Sequence, residues 1–362
     1  MNTEDKKIAV LCITKNGKEL GLKIKNSMKN TNLYNVDLYF VKKDISCDDN
    51  QVIYINKKLK EFVPQIFPQY DYIIFIMATG IVVRTIAPLI VNKFSDPAIL
   101  VTDEKGKNII SLLSGHMGGA NEMTLYISDI LSSNPVITTG TDVNNKSSLD
   151  MIAKSLNGHI DDFRDKVLKI NSRIVNNEKV GLYIDGDYKV DTRGFEVLSK
   201  DDNLINSMDE VVIISNRNTL EEDLNRKLKD KEIIKVTPKD IVIGIGCKRN
   251  TECEHMKNSL IDFLSKQNID INAVKEIGSI DVKKDEEAII NLSKYLNVPF
   301  KIFTPEEISK VDYLYDKSEW VKKNVGVYSV AEPVAHLLSN GNLIVQKHKY
   351  NGITFSVGRI NI

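Results

Sequence analysis

The sequence predicts an α/β fold of mostly parallel sheets with helices on both faces. Short apolar, β-rich runs alternate with helical patterns almost from the first residue, which is typical of parallel sheets covered by helices. A second series of the same kind opens with a buried-strand run at residues 241–245. We therefore expect an N-terminal α/β domain at residues 1–139, a central connecting α/β region at 140–237 and a separate C-terminal α/β domain at 238–362.

The N-terminal elements follow from apolar periodicity. Strands are predicted at residues 7–13, 36–41, 72–77, 98–101 and 136–138, and helices at 17–28, 58–66, 120–131 and 148–156. Residues 98–103 and 108–114 are predicted to form a hairpin with Gly106 in its turn. The sequence thus predicts one antiparallel pair within an otherwise parallel sheet.

The remaining elements are assigned in the same way. The sequence predicts strands at 180–184 and 211–214 and a charged helix at 161–178. The stretch at 201–239 is rich in polar residues, and we expect no active-site residues there. Beyond the strand at 241–245 we expect helices at 251–265, 285–296 and 330–338 and a strand at 300–303. A hairpin of residues 343–348 and 354–357 closes the chain, around the turn signal Asn351-Gly352.

Composition and charge argue against several classes of function. Lys and Arg total 49, and Asp and Glu total 49, so net charge gives no attraction to nucleic acid or an anionic membrane. The start MNTEDKKIAV lacks the apolar segment of a signal peptide, and the longest apolar stretch, residues 72–78, is too short to span a bilayer. Cys12, Cys47, Cys247 and Cys253 are too sparse for a disulfide framework. We expect a cytoplasmic protein that binds neither nucleic acid nor a membrane.

The strongest site signal is the segment at residues 114–121, between a predicted strand and a predicted helix. Three glycines in five residues surround a lone histidine, so the backbone can approach a ligand closely. His116 can act there as acid, base or donor, and we name it as catalytic. The predicted substrate contacts of this segment are Ser114, Gly115, Gly118, Gly119 and Asn121.

Two further junctions carry polar residues. Thr79 and Gly80 open a helix whose N–H groups favour an anion, with Arg84 one turn later; the alternative is a tight turn whose arginine pairs a surface acid. The turn after the strand at 136–138 supplies hydroxyls and a carboxylate that can contact a ligand. Alternatively, the carboxylate caps the helix expected near Ser147 or hydrogen-bonds its own backbone in an Asx-turn. The predicted contacts of this turn are Thr139, Gly140, Thr141 and Asp142. The run at residues 140–147 is not a phosphate loop, because Asn145 stands where glycine is needed before the lysine.

The C-terminal domain offers another anion site. After the strand at 241–245 the chain has a glycine, a Lys-Arg pair and a hydroxyl at a helix start, which together favour an anion. The predicted contacts are Gly246, Lys248, Arg249 and Thr251. Arg249 stands where a dinucleotide fingerprint needs its third glycine, so the nucleotide match is weak. Cys253 and His255, two apart on a predicted helix, point in different directions and cannot easily share a metal ion. Glu332 either complements a helix dipole or directs its carboxylate into a crevice.

Five segments carry a resemblance to a known family. Three segments resemble the first part of the cobalt-precorrin-5A hydrolases of anaerobic cobalamin biosynthesis: MATGIVVRTIAPLI, DPAILVTDEKGKNIISLLSGHMGGAN and VITTGTD. GIGCKRNT and YSVAEPVAHLLS are similar to the C-terminal domain of that family. The resemblance spans nearly the whole chain and is densest at residues 114–121.

The resemblance implies a hydrolase that opens the δ-lactone of cobalt-precorrin-5A, expels a two-carbon fragment as acetaldehyde and gives cobalt-precorrin-5B. It implies no cofactor and no metal of the protein's own, because the substrate carries the cobalt. The expected partners are the cobalt-corrinoid intermediate and, transiently, neighbouring pathway enzymes. From residue type we assign proton transfer to His116, the oxyanion to Arg84 or to backbone N–H groups near Gly118 and Gly119, and a second acid–base role to Glu332.

A rival hypothesis of another class is a non-catalytic corrinoid-binding or handover protein of the same pathway. Both hypotheses predict tetrapyrrole binding, but only the enzyme releases acetaldehyde in repeated turnovers and depends on His116. An unrelated nucleotide-binding enzyme would need a complete phosphate fingerprint, which the sequence lacks.

Overall fold

The computed structural model describes residues 6–29, 33–41, 50–93, 95–199, 203–208 and 210–362. Cys47 and residues 1–5, which carried two of the sequence-based expectations, lie outside the described residues. The chain divides into two compact units, Met1–Lys146 and Ser147–Ile362, while the expected boundaries after residues 139 and 237 stay predictions. In the described ranges no helix is both long and apolar enough to cross a bilayer.

The first unit is built on one mostly parallel sheet. Its strands are β1 (Lys6–Cys12), β2 (Tyr34–Val41), β3 (Ile53–Ile55), β4 (Tyr72–Ile76), β5 (Ala98–Thr102), β6 (Asn108–Leu113) and β7 (Asn134–Val136), in the order β3-β2-β1-β4-β5-β6-β7. Its helices are α1 (Lys15–Lys29), α2 (Leu59–Ile66), α3 (Thr79–Ile86), α4 (Ala120–Leu131) and α5 (Gly140–Val143). Helices α1 and α4 pack on one face, and α2 and α3 on the other. The predicted α/β class is confirmed.

The pair β5–β6 reverses the direction of the sheet. The two strands are antiparallel, as predicted, and Leu113 at the end of β6 pairs with Ile99 near the start of β5. Strand β7 runs parallel to β6. The carboxyl ends of β6 and β7 therefore lie at the edge where β1, β4 and β5 begin, and the segments that follow β6 and β7 start at the same edge.

The described part of the second unit contains two sheets. The first has the parallel strands β8 (Gly181–Ile184), β9 (Glu196–Leu198), β10 (Glu210–Ile214) and β11 (Glu232–Val236), in the order β11-β10-β8-β9. It is accompanied by α6 (Leu149–Ser155), α7 (Phe163–Val175) and α8 (Glu222–Leu228). The polar stretch at 201–239 thus holds a fully buried strand, β10, and the unpredicted strand β11.

The second sheet of this unit is mixed. Its strands are β12 (Ile241–Cys247), β13 (Val274–Ile280), β14 (Phe300–Phe303), β15 (Leu343–Tyr350) and β16 (Ile353–Arg359), in the order β14-β13-β12-β16-β15. Its helices are α9 (Cys253–Lys266), α10 (Glu287–Leu296), α11 (Pro305–Ser309), α12 (Glu319–Val325) and α13 (Ala331–Leu338). The predicted closing hairpin is confirmed, because β15 and β16 are antiparallel and Asn351 and Gly352 both have positive φ, at 28° and 92°.

Helix α13 packs directly on the backbone of this sheet. A Cβ atom at Gly244 in β12 would lie 1.9 Å from the carbonyl oxygen of Ala331, and one at Gly358 in β16 would lie 2.5 Å from Cβ of Ser339. Both distances are too short for real atoms, so only glycine permits this approach. The position of α13 is thereby fixed by contact between backbones.

A buried carboxylate ties the two sheets of the second unit together. Asp240 is 0% exposed, and its Oδ2 accepts hydrogen bonds from Nε of Arg359 at 2.6 Å and the hydroxyl of Tyr188 at 2.8 Å. Nδ2 of Asn216 donates to Oδ1 of the same carboxylate at 3.0 Å. These charge-assisted bonds join the start of the second sheet to residues around the first.

Candidate active site

The segment between β6 and α4 is a tight loop held at both ends. The hydroxyl of Ser114 donates to the carbonyl of Asp96 at 3.1 Å, and Gly119, with φ of 84°, is the N-cap of α4. A Cβ at Gly118 would lie 2.5 Å from Cβ of Ser114, so the loop closes on itself at a place where a side chain has no room. The glycines therefore hold the backbone on either side of His116 in one compact turn.

His116 meets a carboxylate and a hydroxyl from the segment after β7. Its Nε2 lies 2.7 Å from Oδ2 of Asp142 and 2.9 Å from Oγ1 of Thr141. The His116 side chain is 17% exposed and that of Asp142 is 40% exposed, whereas Thr141 is buried. The structure thus brings together His116 and Asp142, which the sequence placed in two separate junctions.

Asn121 organises this cluster from the first turn of α4. The hydroxyl of Ser111 donates to Oδ1 of Asn121 at 2.6 Å, which leaves the amide Nδ2 as donor. Nδ2 contacts Oγ1 of Thr139 at 2.9 Å and Oδ2 of Asp142 at 3.0 Å. The sequence leaves open whether Asp142 caps a helix, forms an Asx-turn or contacts a ligand. In the structure its Oδ2 contacts His116 and Asn121, and ligand contact stays a prediction.

The pair His116–Asp142 has the geometry of an oriented general base. An ionised carboxylate can only accept, so the 2.7 Å contact fits a proton on Nε2, and in the neutral ring this tautomer puts the basic lone pair on Nδ1. When Nδ1 takes up a proton, the adjacent Asp142 carboxylate stabilises the imidazolium. Two further predicted residues, Gly115 and Gly140, belong to the two segments that meet here. Gly115 packs against the amide of Asn121, and Gly140 is the first residue of α5.

Arg84 lies at the opposite edge of the sheet. Helix α3 begins at Thr79 just after the end of β4, whereas Gly119 packs near the hydroxyl of Tyr72 at the start of β4. A strand of that length separates the two edges by about 13 Å. The Arg84 guanidinium folds back over Gly80, with Nη1 3.5 Å from where a Cβ would be. Of the two alternatives for the oxyanion, Arg84 therefore does not lie beside His116, and the backbone N–H groups near Gly118 and Gly119 remain.

The alternative for Arg84, a simple surface ion pair, is not seen either. Within the described ranges no carboxylate lies within 4.0 Å of its guanidinium. Arg84 adds its charge to the N-terminal turn formed by Thr79 and Gly80, where a helix dipole already favours an anion. Substrate binding by these three residues stays a prediction.

In the second unit the start of α9 is already occupied by carboxylates. Helix α9 begins at Cys253, and Glu252 caps it by accepting from the backbone N–H of His255 at 3.1 Å. The N–H of Thr251 donates to Glu286 at 3.0 Å, and Arg249 pairs with Asp285 at 2.5 Å. The expected anion site at this helix start is corrected, because acidic side chains satisfy its donors and its arginine.

Glu332 is held by a lysine of the neighbouring strand. It is 5% exposed, its Oε1 accepts from the backbone N–H of Lys347 at 3.3 Å, and its Oε2 lies 3.4 Å from Nζ of the same residue. Of the alternatives left open, dipole complementation at the start of α13 fits this buried position, and Glu332 also fixes Lys347. Gly246 and Lys248 line a cavity in the same sheet.

Comparisons with known proteins cover both units. Family models match at residues 61–142 (Cobalamin synthesis G N-terminal), 147–228 (Cobalamin biosynthesis central region) and 241–358 (Cobalamin synthesis G C-terminus). The cobalt-precorrin-5A hydrolase of Salmonella typhimurium is 39% identical over 322 residues, which cover 84% of this chain and 90% of that protein. The chain belongs to the cobalt-precorrin-5A hydrolase family.

Other members and a solved structure extend the comparison. The cobalt-precorrin-5A hydrolase of Priestia megaterium is 28% identical over 97% of this chain and 94% of that protein. A crystal structure of a cobalamin biosynthesis protein G homolog from Sulfolobus solfataricus is 25% identical and covers 98% of this chain and 97% of that chain, with a TM-score of 0.43. The family resemblance drawn from the sequence is confirmed by the relative from Salmonella typhimurium, which is 39% identical over 84% of this chain.

The sequence predicts no metal site, because Cys253 and His255 lie two apart on a helix. In the parts of the chain that the structure describes, no group of three or more His, Cys, Asp or Glu side chains is arranged to hold an ion. The expectation that this hydrolase family member needs no metal or cofactor of its own stays a prediction.

Proposed function

We propose that this chain opens the δ-lactone of cobalt-precorrin-5A with water and releases acetaldehyde, giving cobalt-precorrin-5B. Membership of the cobalt-precorrin-5A hydrolase family supports the substrate and the hydrolytic reaction. The 2.7 Å contact between His116 and Asp142 is the observation that carries the chemistry, because it supplies an oriented base. The proposal includes the cytoplasmic location expected from the sequence.

The reaction balances with one water molecule. His116 removes a proton from water, and the hydroxide adds to the lactone carbonyl carbon. Collapse of the tetrahedral intermediate breaks the ring C–O bond, leaving a carboxylic acid and an alkoxide. The alkoxide oxygen then forms the carbonyl of acetaldehyde while the adjacent C–C bond breaks, and the macrocycle takes the electron pair and the proton returned by His116.

The oxyanion of the first step needs a donor other than Arg84. The N–H of Gly119, also predicted for this role, donates to the carbonyl of His116 at 3.0 Å and is therefore committed to the loop. The N–H of Gly118, in the middle of the same loop, is our remaining candidate among the predicted groups. Glu332 is not assigned a proton-transfer step, because its Oε1 accepts from the backbone N–H of Lys347 and its charge is balanced by Nζ of the same lysine, 3.4 Å from Oε2.

The deciding experiment measures acetaldehyde with an aldehyde-trapping assay during repeated turnovers of the lactone-bearing cobalt macrocycle. His116→Ala is compared with His159→Ala, because His159 also pairs with an aspartate, Asp161, at 3.0 Å but is 39% exposed in the other unit. We expect turnover to fall about 100-fold or more in His116→Ala and to stay within twofold of the unaltered enzyme in His159→Ala.

The handover hypothesis predicts a different result. The unaltered protein would then bind the macrocycle stoichiometrically, with no acetaldehyde above the buffer rate, and His116→Ala would change nothing. Full turnover by His116→Ala with unchanged binding would leave the hydrolase but refute the assigned base.

A further inference from the structure

A cavity of about 410 Å³ lies in the second sheet of the unit Ser147–Ile362. Cys247 and Ile280, at the carboxyl ends of β12 and β13, line it together with Ala331 at the start of α13. Crevices of this kind, at the carboxyl ends of parallel strands, commonly hold ligands. Its volume is within the usual range for small-molecule sites.

Lysines from separate elements converge on the cavity. Lys283 lies 3.4 Å from Glu286, and Lys347 is shared by Glu332 and Asp316, so these two charges are partly balanced. The other lining lysines are Lys248 and Lys349. In the described residues neither of them has a carboxylate within 4.0 Å.

Lys248 and Lys349, which have no carboxylate partner among the residues that the structure describes, both lie beside the turn between β15 and β16. Lys248 follows β12, and its stem packs on Gly352 in the β15–β16 turn, where a Cβ would lie 3.1 Å from its Cδ. Lys349 lies on β15 beside the same turn. Two cations beside one turn repel each other and, with no described carboxylate within 4.0 Å, attract the carboxylates of a ligand.

Part of the cavity lining is aromatic and apolar. Trp320 and Val321 of α12 and Ile353 of β16 belong to it, and Trp320 is 69% exposed. Tyr328 adds a ring over which Nζ of Lys322 lies 3.9 Å from the centroid. A tryptophan this exposed beside a cavity is suited to cover the flat face of a ligand. Burial raises the pKa of the Cys247 thiol at the end of β12, which disfavours a thiolate nucleophile in the cavity.

We propose that this cavity is a binding site for a flat, apolar ring that carries several carboxylates, with Lys248 and Lys349 binding the carboxylates and Trp320 covering the ring. Naming that ligand as a corrinoid rests on the proposed function. A macrocycle exceeds the cavity volume, so one edge of the ring enters and the rest lies against Trp320. Glu332 acts as a positioning residue that holds Lys347 at the wall.

The sole tryptophan of the chain gives a direct readout, because Trp320 is that residue. We would titrate the full-length protein with dicyanocobyrinic acid, whose side chains end in carboxylates, and with dicyanocobinamide, whose ring is the same but whose side chains are amides. Both absorb ultraviolet light and quench tryptophan fluorescence. We expect the carboxylate probe to bind about tenfold more tightly and to lose affinity as salt is raised.

The variant Lys248→Gln/Lys349→Gln removes both charges and keeps a polar side chain, one atom shorter than lysine, at each position. It should raise the Kd of the carboxylate probe about tenfold and leave that of the amide probe within twofold. The matched control is Lys294→Gln/Lys310→Gln, two exposed lysines of the same unit that do not line the cavity. Equal Kd values for the two probes, an unchanged Kd in the cavity variant, or no quenching of Trp320 would each overturn the proposal.

Acetaldehyde release by the unaltered protein is measured in parallel. Release without lysine-dependent binding would refute the cavity site and leave the hydrolase standing. Lysine-dependent binding without release would refute the hydrolase and leave the cavity site standing.

Discussion

Replacing Asp142 with asparagine tests the oriented base most directly. Oδ2 of Asp142 accepts from Nδ2 of Asn121 at 3.0 Å, so the introduced amide is expected to place its oxygen at that position. That oxygen then still accepts from Nε2 of His116. Asp142→Asn therefore removes the negative charge while preserving the orientation of the imidazole ring.

The magnitude follows from the distance and the exposure. At 2.7 Å the attraction between an imidazolium and the Asp142 carboxylate is about 1.5 kcal/mol at a dielectric constant of 80 and about 3 kcal/mol at 40. Because the Asp142 side chain is 40% exposed, we apply only this solvent-screened range. Losing it in the transition state lowers kcat about 10- to 150-fold.

The assay is steady-state acetaldehyde release, with thermal unfolding as the check on folding. Asp129→Asn serves as control, because Asp129 is exposed on α4 in the same unit. We expect kcat to fall in Asp142→Asn alone, with the melting temperature close to that of the unaltered protein. A kcat within threefold of the unaltered enzyme would refute the base assignment.

Three further changes test the fold. Gly118→Ala pushes against Cβ of Ser114, 2.5 Å away, so we expect a loss of about 1–3 kcal/mol in unfolding free energy and of most turnover; native-like values of both would contradict the loop geometry. Asp240→Ala leaves Arg359 without its buried partner and should cost about 3–5 kcal/mol by denaturant titration. Burial raises the pKa of Tyr72 to about 12. The neutral phenol therefore contributes its full stabilisation below pH about 10, and this contribution is lost as the pH rises toward 12. Tyr72→Phe should flatten this alkaline decline in melting temperature.

Local patterns predicted much of the fold. Helix α4 begins and ends where its apolar spacing predicts, and the β5–β6 and β15–β16 hairpins were predicted from their turn residues. Strand β13 is absent from the sequence-based elements because two charged residues, Lys275 and Glu276, interrupt its apolar pattern. Glu276 is 8% exposed and pairs with Lys301 of β14 at 2.8 Å. A partner 25 positions away along the chain leaves no local signal.

The candidate site was predicted in parts and wrongly joined. The sequence pointed to residues 114–121 and 139–142, which the structure brings together around His116. It also placed Arg84 beside them, although the predicted hairpin already reversed the chain and sent the two junctions to opposite edges. The turn at Gly106 already implies that β6 runs antiparallel to β5, so the loop after β6 and the loop after β4 must lie at opposite edges of the sheet. The roles of Asn121 toward Asp142 and of Lys347 toward Glu332 depend on tertiary contacts that no spacing encodes.

The contact between α13 and the sheet limits how the cavity can change. Ala331 lines the cavity, and its carbonyl lies against the backbone of Gly244, so a larger residue at position 244 would have to displace helix α13. Trp320, Lys248 and Lys349 also line the cavity but are exposed, so substitutions there meet no such constraint. If the proposed site is correct, its ligand preference can be changed at these exposed side chains while the contact between α13 and the sheet stays intact.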